Sequence, residues 1–213
     1  MTAAQAFALL RELGMPAVTT SDAAAALGSS VTAAAKTLAR LQQSGLVTSV
    51  RHGLWWLDSH VDPFRLPSYL TAPLESYLSL QTALHWHGVI EQIPEVVYAV
   101  SLARTQRITT RAATFSIHHV APELFGGYDR AQGGVHLATV EKALFDFAYL
   151  SAGRSRLFTA LPETEYPAGF RHAELRRWLA RIRSARARTI TANKLEQLLG
   201  SAAKPHARTR RRR

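Results

Sequence analysis

The first 60 residues place their hydrophobic and polar positions with the periods of three short helices and a hairpin. Apolar side chains at three-residue spacing predict a first helix over residues 4–13. Small apolar residues over 22–27 predict a second helix, with Thr20 or Ser21 as its N-cap. A third helix follows, and its apolar stripe consists of Val31, Ala34, Ala35, Leu38 and Leu41.

The segment LVTSVRHGLWWL predicts two strands joined at Arg51, His52 and Gly53. Side chains alternate across a strand, so one ring of the Trp55–Trp56 pair should face the core and the other should face outward. Helix, strand, helix, helix and hairpin is the element order of a winged helix-turn-helix. We therefore assign residues 1–60 to a winged helix-turn-helix DNA-binding domain.

A recognition helix needs small, hydroxylated or basic side chains on its outer face, because acidic groups repel phosphate. The outward positions of the third helix have this composition: Ser29, Ser30, Thr32, Ala33, Lys36, Thr37 and Arg40. Lys36 and Arg40 lie one turn apart, where they can take a guanine edge or a phosphate. Arg51 and His52 at the hairpin tip are expected to contact the adjacent backbone or minor groove. The predicted partner is operator DNA, and the alternative is that this face is merely solvated.

The centre of the chain predicts a mixed α/β domain over residues 61–170. Residues 58–69 contain two prolines and predict a linker, and apolar positions from Pro73 to Gly88 predict a helix. Four strand-like segments follow: EVVYAVSL, RITT, TFSIHHVA and GVHLA. Thr139 is placed to cap a final helix, TVEKALFDFAYLS. The expected fold class is α+β with a small antiparallel sheet.

Two segments, SLQTALHWHGVIEQIP over 79–94 and ATVEKALFDFAY over 138–149, carry a family resemblance. The matching residues are Ala83, Leu84, Gly88, Gln92 and Pro94 in the first, and Ala138, Glu141, Lys142, Ala143, Leu144 and Asp146 in the second. With the N-terminal pattern, they make residues 5 to 155 resemble the AbiEi antitoxins of AbiE-type (type IV) toxin–antitoxin systems.

The resemblance implies a transcriptional regulator with two activities. Its N-terminal domain represses the protein's own operon, and its C-terminal domain neutralises a cognate nucleotidyltransferase-type toxin, not necessarily through a stable complex. The resemblance supplies no catalytic residues. It marks Gln92, Pro94, Glu141, Lys142 and Asp146 as the signature of the antitoxin domain.

The charged residues of the second segment have a simpler interpretation as a helix surface. Lys142 and Asp146 at i and i+4 predict an exposed ion pair worth about a few tenths of a kcal/mol. Glu141 would lie in the first turn, where the helix dipole favours a carboxylate. The alternative is that these groups dock to a partner.

No pattern in the chain predicts a metal, a cofactor or an enzyme. His85 and His87 project to different faces of a helix, and His118 and His119 to opposite sides of a strand. The segment FGGYDRAQGG lacks the P-loop lysine and predicts a flexible loop. No nucleophile–base–orienter pattern is visible in the sequence.

The net charge of +11 comes almost wholly from residues 171–213, which hold fourteen basic and two acidic residues. Residues 171–200 predict a basic helix with an apolar stripe of Leu175, Trp178, Leu179 and Ile182, and 201–213 have the composition of a disordered Arg-rich tail. Three roles compete: a solvated surface, non-specific phosphate contacts, and a grip on an acidic or RNA-bound partner. We favour the second, through Arg176, Arg177, Arg181 and Arg183, because the nearly neutral N-terminal domain then reads sequence while this region supplies affinity.

The rest of the composition indicates where in the cell the protein is expected to act. The chain has no cysteine, which favours a reducing cytoplasm. No apolar run approaches the roughly 18–20 residues that span a bilayer, so no membrane partner is expected. The functional alternative is a protein-interaction module that inhibits a partner toxin directly, without sequence-specific DNA binding.

Overall fold

The computed structural model describes residues 1–151 and 161–200, and the tail predicted over 201–213 lies outside the described residues. The chain is mixed α+β, as predicted, and it divides into two compact units. Unit 1 consists of Met1–Pro63 and Thr109–Ala113, and unit 2 of Phe64–Ile108 and Thr114–Arg213.

Unit 1 begins with three helices and an intervening strand, α1 (Ala3–Glu12), β1 (Ala17–Thr19), α2 (Thr20–Ala26) and α3 (Val31–Gln43). Their shared core includes Leu10, Val18, Ala34, Leu38 and Leu41. Thr19, one residue before the predicted cap, begins α2, because its Oγ1 accepts from the Asp22 amide while the Asp22 carboxylate accepts from the Thr19 amide. Val31 is 53% exposed, so the predicted apolar stripe starts only at Ala34.

A three-stranded antiparallel sheet of order β1-β3-β2 completes unit 1, with β2 at Thr48–Arg51 and β3 at Leu54–Trp56. Gly53 turns the hairpin with a φ of +78°, a conformation that glycine adopts without steric cost. Trp56 is buried and donates its ring N–H to the His60 carbonyl, whereas Trp55 is half-buried and donates to Thr20 Oγ1. One ring of the pair is therefore in the core, as the alternation predicts.

Unit 2 contains a six-stranded sheet of order β6-β7-β5-β4-β9-β8. In chain order its strands are β4 (Ser76–Leu78), β5 (Val97–Ser101), β6 (Gln106–Thr109), β7 (Thr114–His119), β8 (Tyr128–Arg130) and β9 (His136–Ala138). The β4–β9 and β5–β7 pairs are parallel, so the prediction of a small antiparallel sheet was wrong. Alternation along a segment identifies a strand, but it carries no information about the direction of a neighbour distant in sequence.

The prediction of a linker over 58–69 held in part, because the boundary between the units at Pro63 and Phe64 lies within it. The segment also begins a short helix, α4 (Leu66–Leu70), whose Leu66 and Leu70 are buried. Two further local predictions in unit 2 were wrong. The predicted helix 73–88 is β4 followed by α5 (Leu80–Trp86), and the predicted glycine-rich loop contains β8. The three residues of β4 are all buried between β5 and β9, so this strand lacks the polar alternation that would identify it.

The helix α6 (Val140–Ser151) is the centre of unit 2. Thr139 Oγ1 accepts from the Lys142 amide, which confirms the predicted cap. Every residue from Val140 to Ala148 is buried, because α6 contacts α5 and two C-terminal helices, α7 (His172–Arg181) and α8 (Ala185–Gly200). The single basic helix predicted over 171–200 is broken at Ile182, which is buried and has extended backbone angles.

His118 in β7 is expected to make the stability of unit 2 depend on pH. It is 6% exposed, its ring Nε2 lies 2.9 Å from Ser116 Oγ, and burial lowers its pKa from 6.5 to about 4. Between pH 6.5 and about pH 4, His118 is protonated in the unfolded chain but neutral in the folded chain. The free energy of unfolding therefore decreases as the pH is lowered through this window. We expect the free energy of unfolding to drop by about 3 kcal/mol over that interval.

Urea unfolding at half-unit pH steps checks the prediction. His118→Gln should remove most of the slope between pH 6.5 and 4, and His60→Gln, at an exposed histidine, should keep it. An unchanged slope in His118→Gln would show that another group titrates.

Candidate nucleic-acid interface and a buried ion pair

The outer face of α3 carries exposed polar and basic side chains without an acidic neighbour on the helix. Thr32, Ala33, Lys36 and Arg40 are exposed. Ser30 is also exposed, but its Oγ accepts from the Ala33 amide at 3.2 Å and thus caps the helix. This face therefore offers two cations one turn apart on a surface of short side chains that a nucleic acid can approach closely.

Of the predicted DNA-contacting residues, one is buried and another is half-buried. Thr37 is only 8% exposed, so its prediction as an outward residue was wrong. It lies beside the buried apolar stripe of α3. Its Oγ1 accepts a hydrogen bond from Arg40 Nη2 at 3.3 Å, which orients the Arg40 guanidinium. Ser29 is half-buried and donates to the Ser30 carbonyl at 3.4 Å.

Two exposed residues lie at the hairpin tip: Arg51 is the last residue of β2, and His52 follows it in the turn. The pairing of β2 with β3 shifts register between Ser49 and Arg51, which bends the strand at its tip. Two carboxylates of unit 1 accept local backbone hydrogen bonds. Asp22 belongs to the α2 cap, and the His60 amide donates to Asp58 and lowers the pKa of that carboxyl.

The charged residues of α6 form an ion pair in the core of unit 2. Lys142 and Asp146 are both 0% exposed, and Lys142 Nζ lies 2.5 Å from Asp146 Oδ1. The other carboxylate oxygen accepts from Tyr77 Oη at 3.1 Å and from Ser79 Oγ at 2.7 Å. The prediction of an exposed ion pair was wrong, because α5, α7, α8 and β9 pack against α6 and bury every residue from Val140 to Ala148.

Backbone and aromatic groups complete the surroundings of the lysine. Lys142 Nζ donates to the Leu124 carbonyl at 2.8 Å and lies 4.3 Å from the centre of the Trp178 ring. The Arg181 guanidinium lies 4.2 Å from the same ring. Trp178 therefore makes two cation–π contacts, one with a buried and one with an exposed cation.

Burial opposes the charge on both members of the pair. It lowers the pKa of Lys142 and raises the pKa of Asp146, while the attraction of each group for the other works in the opposite direction. Burial, followed by the nearby Asp146 charge, raises the pKa of Tyr77 well above its ordinary value. Both ions are inaccessible to solvent, so their partners are protein groups. Tyr77 of β4 contacts Asp146 and Trp178 of α7 contacts Lys142, so the ion pair connects α6 to both elements.

The residues marked by the family resemblance fall into two places in unit 2. Glu141 is 5% exposed, accepts from the Arg171 amide at 2.8 Å, and so connects α6 to the start of α7. With Lys142 and Asp146 it belongs to the core. Gln92 and Pro94 instead line a surface cavity of about 260 Å³, whose wall also contains Gln81 and Tyr98.

The four arginines predicted to contact phosphate are all exposed on and after α7. They do not have the same surroundings. Arg183 Nε lies 3.0 Å from Glu123 Oε1, and Arg181 covers the Trp178 ring. Arg176 and Arg177 project from α7 into solvent.

No protein-family model matches the chain, and no curated protein matches it. Within residues 1–151 and 161–200, no three His, Asp or Glu side chains are grouped so that they could hold a metal ion. No helix in the same ranges is long and apolar enough to cross a membrane.

Sequence reasoning missed Tyr77, Ser79 and Trp178 as partners of the ion pair. A usable signal was present in α6, where Ala143, Leu144, Phe145, Phe147 and Ala148 place apolar side chains around the whole helix. A helix that is apolar all round is a buried helix. Its Lys and Asp must then be paired inside the core.

Proposed function

We propose that the protein is an AbiEi-type antitoxin that represses its own operon by binding promoter DNA through unit 1. The observation that carries the proposal is the outer face of α3. This face carries small side chains and two basic residues, and the opposite face of the helix is packed in the core of unit 1. On this proposal, α3 enters the major groove as the recognition helix of a winged helix-turn-helix.

The proposal assigns a role to each exposed group of unit 1. Lys36 and Arg40 contact a base edge or phosphate in the major groove. Arg51 and His52 at the hairpin tip act as the wing and contact the neighbouring backbone. The hydrogen bond from Arg40 to Thr37 reduces the freedom of the guanidinium before it binds.

We further propose that unit 2 neutralises a nucleotidyltransferase-type toxin in the cytoplasm, without a catalytic step of its own. The support is the family resemblance of two segments, one ending in the cavity-lining residues Gln92 and Pro94 and the other covering the end of β9 and most of α6. Both segments belong to the same compact unit. A toxin encoded beside this protein is the partner to test by co-expression.

Fluorescence anisotropy at about 150 mM salt tests the repressor proposal, with the protein's own upstream DNA and scrambled DNA as probes. We expect a preference of roughly a thousandfold for the upstream DNA. Lys36→Ala/Arg40→Ala should reduce that preference by at least about tenfold, because each base contact contributes about 1–3 kcal/mol.

Arg111→Ala, which removes an exposed arginine of unit 1 outside α3 and the hairpin, is the matched control and should keep the preference. Equal, weak binding to both probes would overturn the repressor proposal. The direct inhibition of a partner toxin would then be the leading function, and co-purification of that toxin with this protein would test it.

A further inference from the structure

Six of the thirteen residues from 176 to 188 are arginines, and no acidic residue lies between Leu175 and Leu195. All six are exposed on α7, on α8 or in the connection between them: Arg176, Arg177, Arg181, Arg183, Arg186 and Arg188. Like charges at this density repel one another, and a bound polyanion relieves that repulsion. The structure separates these arginines by what each side chain already contacts.

Three of the arginines are engaged within the fold. Arg183 pairs with Glu123 at 3.0 Å, and Arg188 Nε donates to the Ile182 carbonyl at 3.2 Å at the end of α7. Arg181 lies over the Trp178 ring and is exposed to solvent. For Arg176, Arg177 and Arg186, the described residues provide no ion pair or hydrogen bond to the side chain.

Arg186 also lies where a helix disfavours a cation. It is in the first turn of α8, which contains no acidic residue, at the positive end of the helix dipole. This placement lowers the stability of the isolated protein slightly. An anion held at this turn removes that penalty, which favours an anionic partner over a merely solvated surface.

We propose that Arg176, Arg177, Arg181 and Arg186, here called the arginine face, form a second DNA-binding surface in unit 2. This surface grips the phosphate backbone of duplex DNA without reading its sequence. Guanidinium groups suit phosphate because their fixed, planar donors match two phosphate oxygens at once.

The surroundings of the arginine face favour a duplex over a single strand or a lipid surface. Single-strand binding needs exposed rings on which bases stack. Trp178 is 6% exposed and lies between Lys142 and Arg181. On α7, Leu175 and Trp178 are buried and Leu179 is half-buried, so this helix presents no large exposed apolar side chain to insert into a membrane.

The proposal does not depend on α3 binding DNA, because the two surfaces control different quantities. The α3 face controls the preference for one sequence over another. The arginine face controls how steeply affinity falls with salt, because each neutralised phosphate releases counterions. Failure of one proposal is therefore distinguishable from failure of the other.

The test uses the full chain with Arg176→Gln, Arg177→Gln and Arg186→Gln combined. Binding to a scrambled DNA duplex is measured by anisotropy between about 50 and 300 mM salt, and each lost contact should flatten the log–log slope by about 0.9. We expect a total change of about 2 to 3 in the slope. The preference for the protein's own promoter should stay as it is in the unaltered chain.

Arg171→Gln/Arg183→Gln is the matched control, because both arginines already pair with carboxylates of unit 2. Its slope should change by less than half as much as that of the triple variant. An equal change in the two variants, or no change in the triple variant, overturns the proposal. So does a triple variant that loses affinity only for single-stranded DNA or for duplex RNA of the same length.

Discussion

Asp146→Ala is expected to lower the free energy of unfolding by about 3–5 kcal/mol, the cost of leaving a buried charge unpaired. The substitution leaves the Lys142 ammonium at 0% exposure with a carbonyl and aromatic rings as its remaining partners. It also removes the acceptor of Tyr77 and Ser79. Urea unfolding followed by circular dichroism measures the change.

The matched double substitution Lys142→Met/Asp146→Leu tests whether charge is the cause. Removing both charges together leaves no unpaired ion, so the double variant should be more stable than Asp146→Ala. Arg183→Gln breaks an exposed ion pair and should change stability by less than about 1 kcal/mol. If Asp146→Ala also changes it by less than about 1 kcal/mol, the pair does not stabilise the core as argued.

Gly127→Ala is expected to destabilise unit 2 by about 2–4 kcal/mol, through overpacking and backbone strain together. An added Cβ would lie 2.6 Å from Trp178 Cζ2 and 3.0 Å from Lys142 Cγ. Neither neighbour can withdraw easily, because Lys142 is tied to Asp146 and Trp178 is packed against it. The φ of +72° adds the steric cost of a left-handed residue.

Gly133→Ala separates the two contributions. Gly133 has a similar φ of +75°, but an added Cβ there meets nothing within 4 Å. Its loss of stability should therefore be about 1 kcal/mol, from backbone strain alone. Equal effects of the two substitutions in urea unfolding would show that the contact with Trp178 and Lys142 is loose.

The charged residues Lys142 and Asp146 of α6 lie in the core and not on the helix surface. Spacing alone gives Lys142 and Asp146 the appearance of a surface pair with a small effect. Their burial converts them into the contact between α6, the Ser79 end of β4 and Trp178 on α7. If unit 2 neutralises a toxin, loss of neutralisation in an Asp146 variant would first report unfolding, so neutralisation must be compared at equal folded protein.

The sequence by itself determined the elements whose signals are local. The apolar stripe of α3 from Ala34 onward, the hairpin at Gly53 and the Thr139 cap of α6 were all predictable from the sequence. The strands β5, β7 and β9 also lie where short alternating or apolar runs predict them. Each signal depends on residues within about one or two turns, where spacing and capping chemistry act directly.

The tertiary structure decided the direction of strand pairing, the conversion of 76–78 from predicted helix to strand, and the burial of Thr37. It also decided which arginines on and after α7 are paired with a carboxylate, as Arg183 is, and which project into solvent. Most decisively, it placed Lys142 and Asp146 in the core. Their partners Tyr77, Ser79 and Trp178 lie tens of residues away, and periodicity within one helix cannot report side chains that arrive from such distant parts of the chain.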